Sequence, residues 1–298
     1  MAVVGVKNDR TFRTLNGLGM ALLVFVTLFP FWYSAVGSFN EGLEFTRGNA
    51  VFWPNAPTLA NYRVVFRNSE ILQSYRVTIA RTIVGTISHL VVTSLFAYAF
   101  SRKKLVGKPV YATMGVITMF FYGGLIPTYL LFKTLSILNT FWVFILPALF
   151  NFWNVIIFSA FFREIPESIN ESARMDGANE YTIYLRLIIP LSTAVFAALG
   201  LFTAVYHWND FFISLVFTTR RELQVMQVYL LKVIQTREAA SAMTGGAITS
   251  QEAGDAKATN TRTIQMATML VAAAPILALY PFLQKYFMKG VLIGSIKG

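Results

Sequence analysis

Six stretches of the chain stay apolar for about the 20 residues that a helix needs to cross a lipid bilayer. They run from Leu15 to Val36, Thr78 to Phe100, Val110 to Phe132, Phe141 to Phe162, Ile188 to Phe217 and Ile264 to Phe287. The pattern predicts an all-α integral membrane protein, with one domain over residues 1–298. The first stretch is too long for a cleaved leader. Phe31, Trp32 and Tyr33 also stand where a cleavage site would need small residues, so it reads as a span with an aromatic belt at its outer end.

The segments between the spans carry the charge. Lys7, Arg10 and Arg13 precede the first span, and Arg102, Lys103, Lys104 and Lys108 crowd the link after the second. Lys285, Lys289 and Lys297 mark the far end of the sixth, whereas the link between spans three and four holds only Lys133. Basic residues in short segments stay on the cytoplasmic side. Both termini, the link after span two and segment 163–187 are therefore expected in the cytoplasm, on one side of a multi-pass membrane protein. The longer segments 37–77 and 218–262 are expected outside, because long loops cross largely regardless of charge.

The outer segments have their own patterns. In "TLANYRVVFRN", Leu59, Tyr62, Val65 and Phe66 predict one apolar side of a surface helix. "RELQVMQVYLLKVI" suits a short strand or a helix equally well. From Ala239 to Thr259 the residues turn small and polar, which predicts a mobile loop.

Composition agrees with lipid as the solvent. Of 298 residues, 55% are hydrophobic and only 13% charged, against about a quarter in soluble domains. The net charge of +11 is explained by residues that flank spans. No basic patch with interleaved aromatics points to nucleic acid. The absence of cysteine excludes disulfides, thiolate metal sites and cysteine nucleophiles.

Catalytic chemistry finds little to use. His89 and His207 are the two histidines, and no carboxylate accompanies His89. There is no nucleophile elbow and no phosphate-cradling glycine loop, so no catalytic or metal-ligating residue is assigned. His89 is expected to pack between helices. In span five, "YHWNDFF" places Trp208, Asn209 and Asp210 inside an apolar run. An intramembrane charge faces protein or a water-filled cavity. Two roles stay open for this cluster: it lines a translocation pathway or gate, or it satisfies a local helix break. "GGLIP", from Gly123 to Pro127, similarly bends span three or lets helices pack closely.

The segment between spans four and five is the unusual one. "IPESINESARMDGANEYTIYLRLIIPL" opens polar and ends greasy. Pro166 suits a first helical position and Gly177 the position past a helix end. Glu164, Glu167 and Glu171 fall on one acidic stripe. Ile165, Ile169 and Ala173 form an apolar stripe beside it, with Ser172 adjacent. Acidic residues suit an anionic leaflet poorly, and small residues allow close approach. Together they predict docking into a basic pocket on a soluble partner.

"ESARMDGA" followed by "IIPL" resembles the EAA loop of ABC importer membrane subunits. Glu171, Ala173, Gly177, Ala178, Pro190 and Leu191 match its pattern, while Ser172 and Ile189 are small departures. With "GGLIPTYLL", "HWND" and "QKYFMKGVLIGSIKG", the resemblance covers most of the chain. It falls in the carbohydrate-importer branch, similar to the second maltose permease subunit and to permeases for uronate-containing oligosaccharides such as the sphingomonad alginate importer. The resemblance implies a type I importer permease fold and ATP-driven uptake of an oligosaccharide by alternating access. It implies a homologous permease subunit, two ATPase subunits that hold ATP and Mg, and an external solute-binding protein, with no cofactor in this chain. It also implies an ATPase-coupling role for Ile169, Glu171, Ser172, Ala173, Asp176, Gly177, Ala178 and Pro190. A secondary transporter or channel subunit is the alternative, and would be expected to carry more charges within its spans. A membrane enzyme would need a convergent constellation of side chains.

Overall fold

Only three of the six apolar stretches become single helices long and apolar enough to cross a membrane. They lie in α1 (Asn8–Ser38), α4 (Ser69–Ser101) and α14 (Thr261–Ser295). The other three are pairs of helices bent at a short break, giving up to six crossings if each pair is one span. The computed structural model describes residues 8–48, 50–244 and 259–295, and side chains over 11–48, 50–235 and 259–278. Among the described residues no strand forms.

Each bend has a local cause. In span three, α5 (Lys108–Phe120) and α6 (Leu125–Thr134) meet at 115°. The chain turns at Gly124, whose φ of +89° favours glycine. In span four, 3-10 turns over Phe141–Phe144 and Leu146–Ala148 precede α7 (Phe152–Glu164), at 53°. The Asn151 side chain starts α7 by accepting the Asn154 N–H at 3.2 Å. Span five enters through α9 (Glu180–Ile183), a π turn over Tyr184–Ile188 and α10 (Ile189–Leu191). It then bends by 82° into α11 (Thr193–Asn209). Pro190 lies in α10 and has no N–H for the ladder. A second break at Asp210 and Phe211 precedes α12 (Phe212–Phe217). Span three thus bends at "GGLIP", one of the two readings of that stretch, and spans four and five are interrupted as well. Apolar composition sets where a segment lies, whereas glycine, proline and polar caps decide whether its helix continues.

The chain divides into two compact units. One comprises residues up to 69 together with 230–273. Within it, Val36, Phe45 and Ala50 form a small core with Tyr33 and Met266 against it. A Cβ on Gly37 would strike Met266 and the Phe45 ring, so glycine permits that closeness. Short α2 (Gly42–Thr46) follows, then α3 (Ala60–Arg67). The buried side of α3 is Asn61 and Val65, while Leu59 and Phe66 are exposed, so the predicted apolar stripe is corrected. Asn61 wins the inner position through hydrogen bonds. Its amide donates to the Ser38 and Asn40 carbonyls, both at 2.9 Å, and its Oδ1 accepts from Thr263 at 2.8 Å.

The other unit comprises 70–229 and 274–298. Its larger core gathers Ala97, Phe152, Val155, Phe158, Ile183, Ile188 and Leu199 from α4, α7 and span five. A second cluster holds Val77, Phe132, Val143, Phe144, Phe217 and Val225. Helix α8 (Glu167–Met175) follows α7 and packs Ala173 against the larger core. The ambiguous stretch after span five becomes a 3-10 turn at Arg221–Leu223 and then helix α13 (Met226–Thr244). Most of the small polar stretch from Ala239 to Thr259 lies outside the described residues.

Candidate functional site

The polar insert builds one compact feature, α8. Proline restricts the residue before it to extended backbone, and Ile165 is extended with φ −70° and ψ 123°. This ends α7 at Glu164 and makes Pro166 the cap of α8 instead of its first turn. Glu164 and Ile165 therefore belong to the end of α7. On α8 itself the acidic stripe is Glu167 and Glu171, and the apolar pair is Ile169 and Ala173.

The far end of α8 is closed by a Schellman motif. The Gly177 N–H donates to the Arg174 carbonyl at 3.0 Å, and the Ala178 N–H to the Ala173 carbonyl at 2.9 Å. Gly177 carries the required left-handed φ of +82°. A Cβ there would meet nothing within 4 Å, so conformation alone asks for glycine. Ala173 and Ala178 are half-buried against the larger core. Their small size lets the motif lie close to this chain's own bundle.

Glu167, Glu171 and Ser172 on α8 and, just past the helix, Asp176 are exposed, with Glu167 4.0 Å from Arg102 of α4. Met175, an apolar side chain, is 88% exposed. Ile169 is half-buried and Asn170 is buried. Seven of the eight predicted coupling residues thus sit within 169–178. Pro190 lies apart, exposed at the bend of span five.

Glu180 ties this segment to α4. Its Oε2 accepts from the Tyr98 hydroxyl at 2.7 Å, and its Oε1 from Arg174 Nε at 3.0 Å. Arg102 also reaches Glu180 Oε2 at 3.4 Å and contacts the Tyr98 hydroxyl. The Tyr98 hydrogen bond first, then those arginines, hold the Glu180 carboxyl below its ordinary range against the opposing effect of burial. A cavity of about 810 Å³ opens beside this node, lined by Tyr98, Arg102, Lys103, Glu171, Tyr181 and Tyr184 among others.

The second candidate cluster centres on Arg81, which is 1% exposed. Its Nε donates to the His207 carbonyl at 2.7 Å, and its Nη2 to that carbonyl as well. The same Nη2 donates to the Asp210 carbonyl at 2.6 Å and to Asp210 Oδ2 at 3.1 Å. The guanidinium also lies 5.2 Å from the Phe144 ring centre. Where α11 stops, its last carbonyls have no helical partner, and a cation at that end suits the helix dipole. Arg81 supplies both. Asp210 turns extended, with ψ 119°, and its carboxylate neutralises the arginine. Trp208 is buried edge-on to Tyr75, while Asn209 is exposed.

His89 sits between helices. Its Nδ1 lies 2.8 Å from the Ala148 carbonyl and its Nε2 2.9 Å from Asn154 Nδ2. A carbonyl can only accept, so Nδ1 carries the proton and Nε2 accepts from the amide. This satisfies a neutral ring at the break of span four.

Sequence reasoning passed over Arg81, Tyr98, Glu180 and Met175. Arg81 had a signal: it is the single Lys, Arg, Asp or Glu between Thr78 and Phe100, and such a residue calls for a partner. Tyr98 and Glu180 become neighbours only through the packing of α4 on α9.

Residues 82–293 match the family described as binding-protein-dependent transport system inner membrane component. The chain is 36% identical over 294 residues to Protein LplC of Bacillus subtilis (strain 168), covering 98% of this chain and 97% of that protein. It is 34% identical over 290 residues to the polygalacturonan/rhamnogalacturonan transport system permease protein YtcP of the same organism, covering 97% and 99%. Among solved structures, it superposes with a TM-score of 0.86 and 28% identity on a chain from a bacterial ABC transporter involved in the import of the acidic polysaccharide alginate. That match covers 96% of this chain and 100% of the other.

Proposed function

The chain belongs to the family of binding-protein-dependent transport system inner membrane components, and from that premise we propose that it is the permease subunit of an ATP-driven importer for an oligosaccharide rich in uronate. An acidic sugar is favoured by two similar proteins, one named for polygalacturonan and rhamnogalacturonan and one described as importing alginate. The complex is completed by a homologous permease, two ATPase subunits that hold ATP and Mg, and an external binding protein that delivers the sugar. Both termini and the 163–187 segment face the cytoplasm.

The observation that carries this reading is α8 with its Schellman end. It presents Glu171, Ser172, Met175 and Asp176 on a short helix whose exit angle is set by Gly177. Such a rigid, acidic, exposed feature suits a cleft on an ATPase subunit. ATP-driven closure of the ATPases displaces α8 and biases the bundle between inward-open and outward-open states. Trp208, Asn209 and Asp210 lie at a break in a membrane span, where the chain can shape the pathway for the sugar.

The test is uptake by the complex in proteoliposomes with its binding protein and a galacturonate or alginate oligosaccharide. ATP inside the compartment that holds the ATPases should drive uptake, and the loaded binding protein should stimulate hydrolysis. The buried Arg81–Asp210 pair is the feature an ion-coupled secondary transporter would also use. Uptake that proceeds without ATP and collapses with a protonophore would support that alternative instead.

A further inference from the structure

The buried face of α4 is polar over most of its length, and its polar groups meet places where other helices begin or end. Thr78 Oγ1 accepts the N–H of Met226, the first residue of α13, at 2.9 Å. Arg81 takes the His207 carbonyl in the last turn of α11 and the Asp210 carbonyl just past it. His89 takes the Ala148 carbonyl ahead of α7. Ser94 Oγ lies 2.6 Å from the Tyr184 hydroxyl in the π turn of span five. Tyr98 donates to Glu180, the first residue of α9. In a bilayer a broken helix persists only where neighbours satisfy the freed backbone groups, and α4 supplies several of them.

Two of these ties close the ends of one stretch of chain. Glu180 opens α9, ahead of the apolar stretch that starts at Ile188, and Asp210 caps α11. Between them the backbone contains a π turn, Pro190 and an 82° bend. A push on the Glu180 end is absorbed at those joints. In contrast, α4 runs unbroken from Ser69 to Ser101. Arg81 and Tyr98 therefore sit about 26 Å apart along one straight rise, a separation that changes only if α4 itself breaks.

We propose that α4 is the strut of this subunit: Arg81 and Tyr98 are positioning residues that carry displacement of the 163–187 segment to the break at Trp208, Asn209 and Asp210. This rests on the coupling role proposed above for that segment. The fork of Arg81 suits the task because its Nε and Nη2 engage the His207 carbonyl while Nη2 also reaches Asp210. A lysine would bring the charge without the fork. Tyr98 suits it because one hydroxyl fixes Glu180 while its ring packs under the Arg102 guanidinium, 4.2 Å away.

The chain contains no cysteine, and Asn209 is exposed, so Asn209→Cys gives a probe at the break. Its maleimide labelling rate is followed on this subunit's gel band in the assembled complex, nucleotide-free and trapped with ATP and vanadate. The expected result is a rate ratio between the two states that departs clearly from one. Adding Tyr98→Phe, which removes the hydroxyl and keeps the ring, should bring that ratio back towards one by about tenfold, the scale of one hydrogen bond to a charged group. Arg81→Lys should do so partially and Arg81→Met fully. Size-exclusion of each variant with its partners reports assembly. If Arg81→Met does not assemble, Tyr98→Phe and Arg81→Lys still decide. A Tyr98→Phe complex that keeps the parent ratio overturns the strut, as does a parent ratio of one. Binding-protein-stimulated hydrolysis by the complex that carries the unsubstituted subunit tests the importer reading by itself, so its presence separates failure of the strut from failure of that reading.

Discussion

The His207 ring lies over Gly85: a Cβ on Gly85 would fall on the imidazole. This close approach of α11 to α4 also brings the His207 carbonyl within reach of Arg81, one turn earlier on α4. Gly85→Ala should force the two helices apart and cost about 1–3 kcal/mol, as overpacking of a filled interior does. Gly85→Val should cost more. Thermal unfolding of the purified complex measures the loss. Gly200→Ala makes a useful comparison, because its Cβ would meet only the end of the Leu90 side chain at 3.2 Å and should be milder.

Gly177 makes the opposite case. There is space around it, yet its φ of +82° is expensive for any side chain branched at Cβ. Gly177→Val should cost about 1–3 kcal/mol of local strain and redirect the chain leaving α8. Gly177→Asn should be much better tolerated, because asparagine enters the left-handed region more readily. Transport and binding-protein-stimulated hydrolysis on the same reconstituted complexes should fall for valine and recover for asparagine. Equal coupling in both would detach α8 from the drive linkage.

Glu180 predicts a pH dependence. Its carboxyl is held below the ordinary range by the Tyr98 hydroxyl first, aided by Arg174 and Arg102. A lowered pKa means that the tie contributes in full above the ordinary carboxylate pKa and is lost as pH falls through the lowered value. Glu180→Gln should reproduce the acid state at neutral pH. At neutral pH, Tyr181→Cys, exposed beside it, should label faster in the Glu180→Gln background than in the parent, and the acidified parent should show the same gain once its rate is divided by that of a free thiol at the same pH, because maleimide reacts with the thiolate. Unchanged rates would show that the tie does not hold this loop.

Topology can be read with the same chemistry. Trp53 and Val106 are both highly exposed, on segments expected on opposite sides of the membrane. In intact cells, Trp53→Cys should react with a membrane-impermeant maleimide and Val106→Cys should not. The reverse pattern would invert the orientation.

Much of the subunit was legible without coordinates because lipid imposes a simple rule. A backbone in hydrocarbon must bond to itself, so long apolar runs become helices, and the all-α class followed. The short helix after Pro166 was legible because its signals are local: Pro166 and Gly177 act on nearby φ and ψ and need no partner. Even there, the register needed the structure. Proline acts on the residue before it, which assigned Glu164 and Ile165 to the preceding helix.

What the sequence by itself determined was therefore whatever depends on chain neighbours: the all-α membrane class and the capped helix after Pro166. What only the tertiary structure decided was which spans stay whole and what holds the broken ones. Helix α11 stops at Asn209, where Arg81, more than a hundred residues earlier in the chain, takes the His207 carbonyl that a further turn would have used and the Asp210 carbonyl just beyond it. That exchange is invisible to hydropathy. A backbone carbonyl carries no sequence signature, and its partner is chosen by which helix packs alongside.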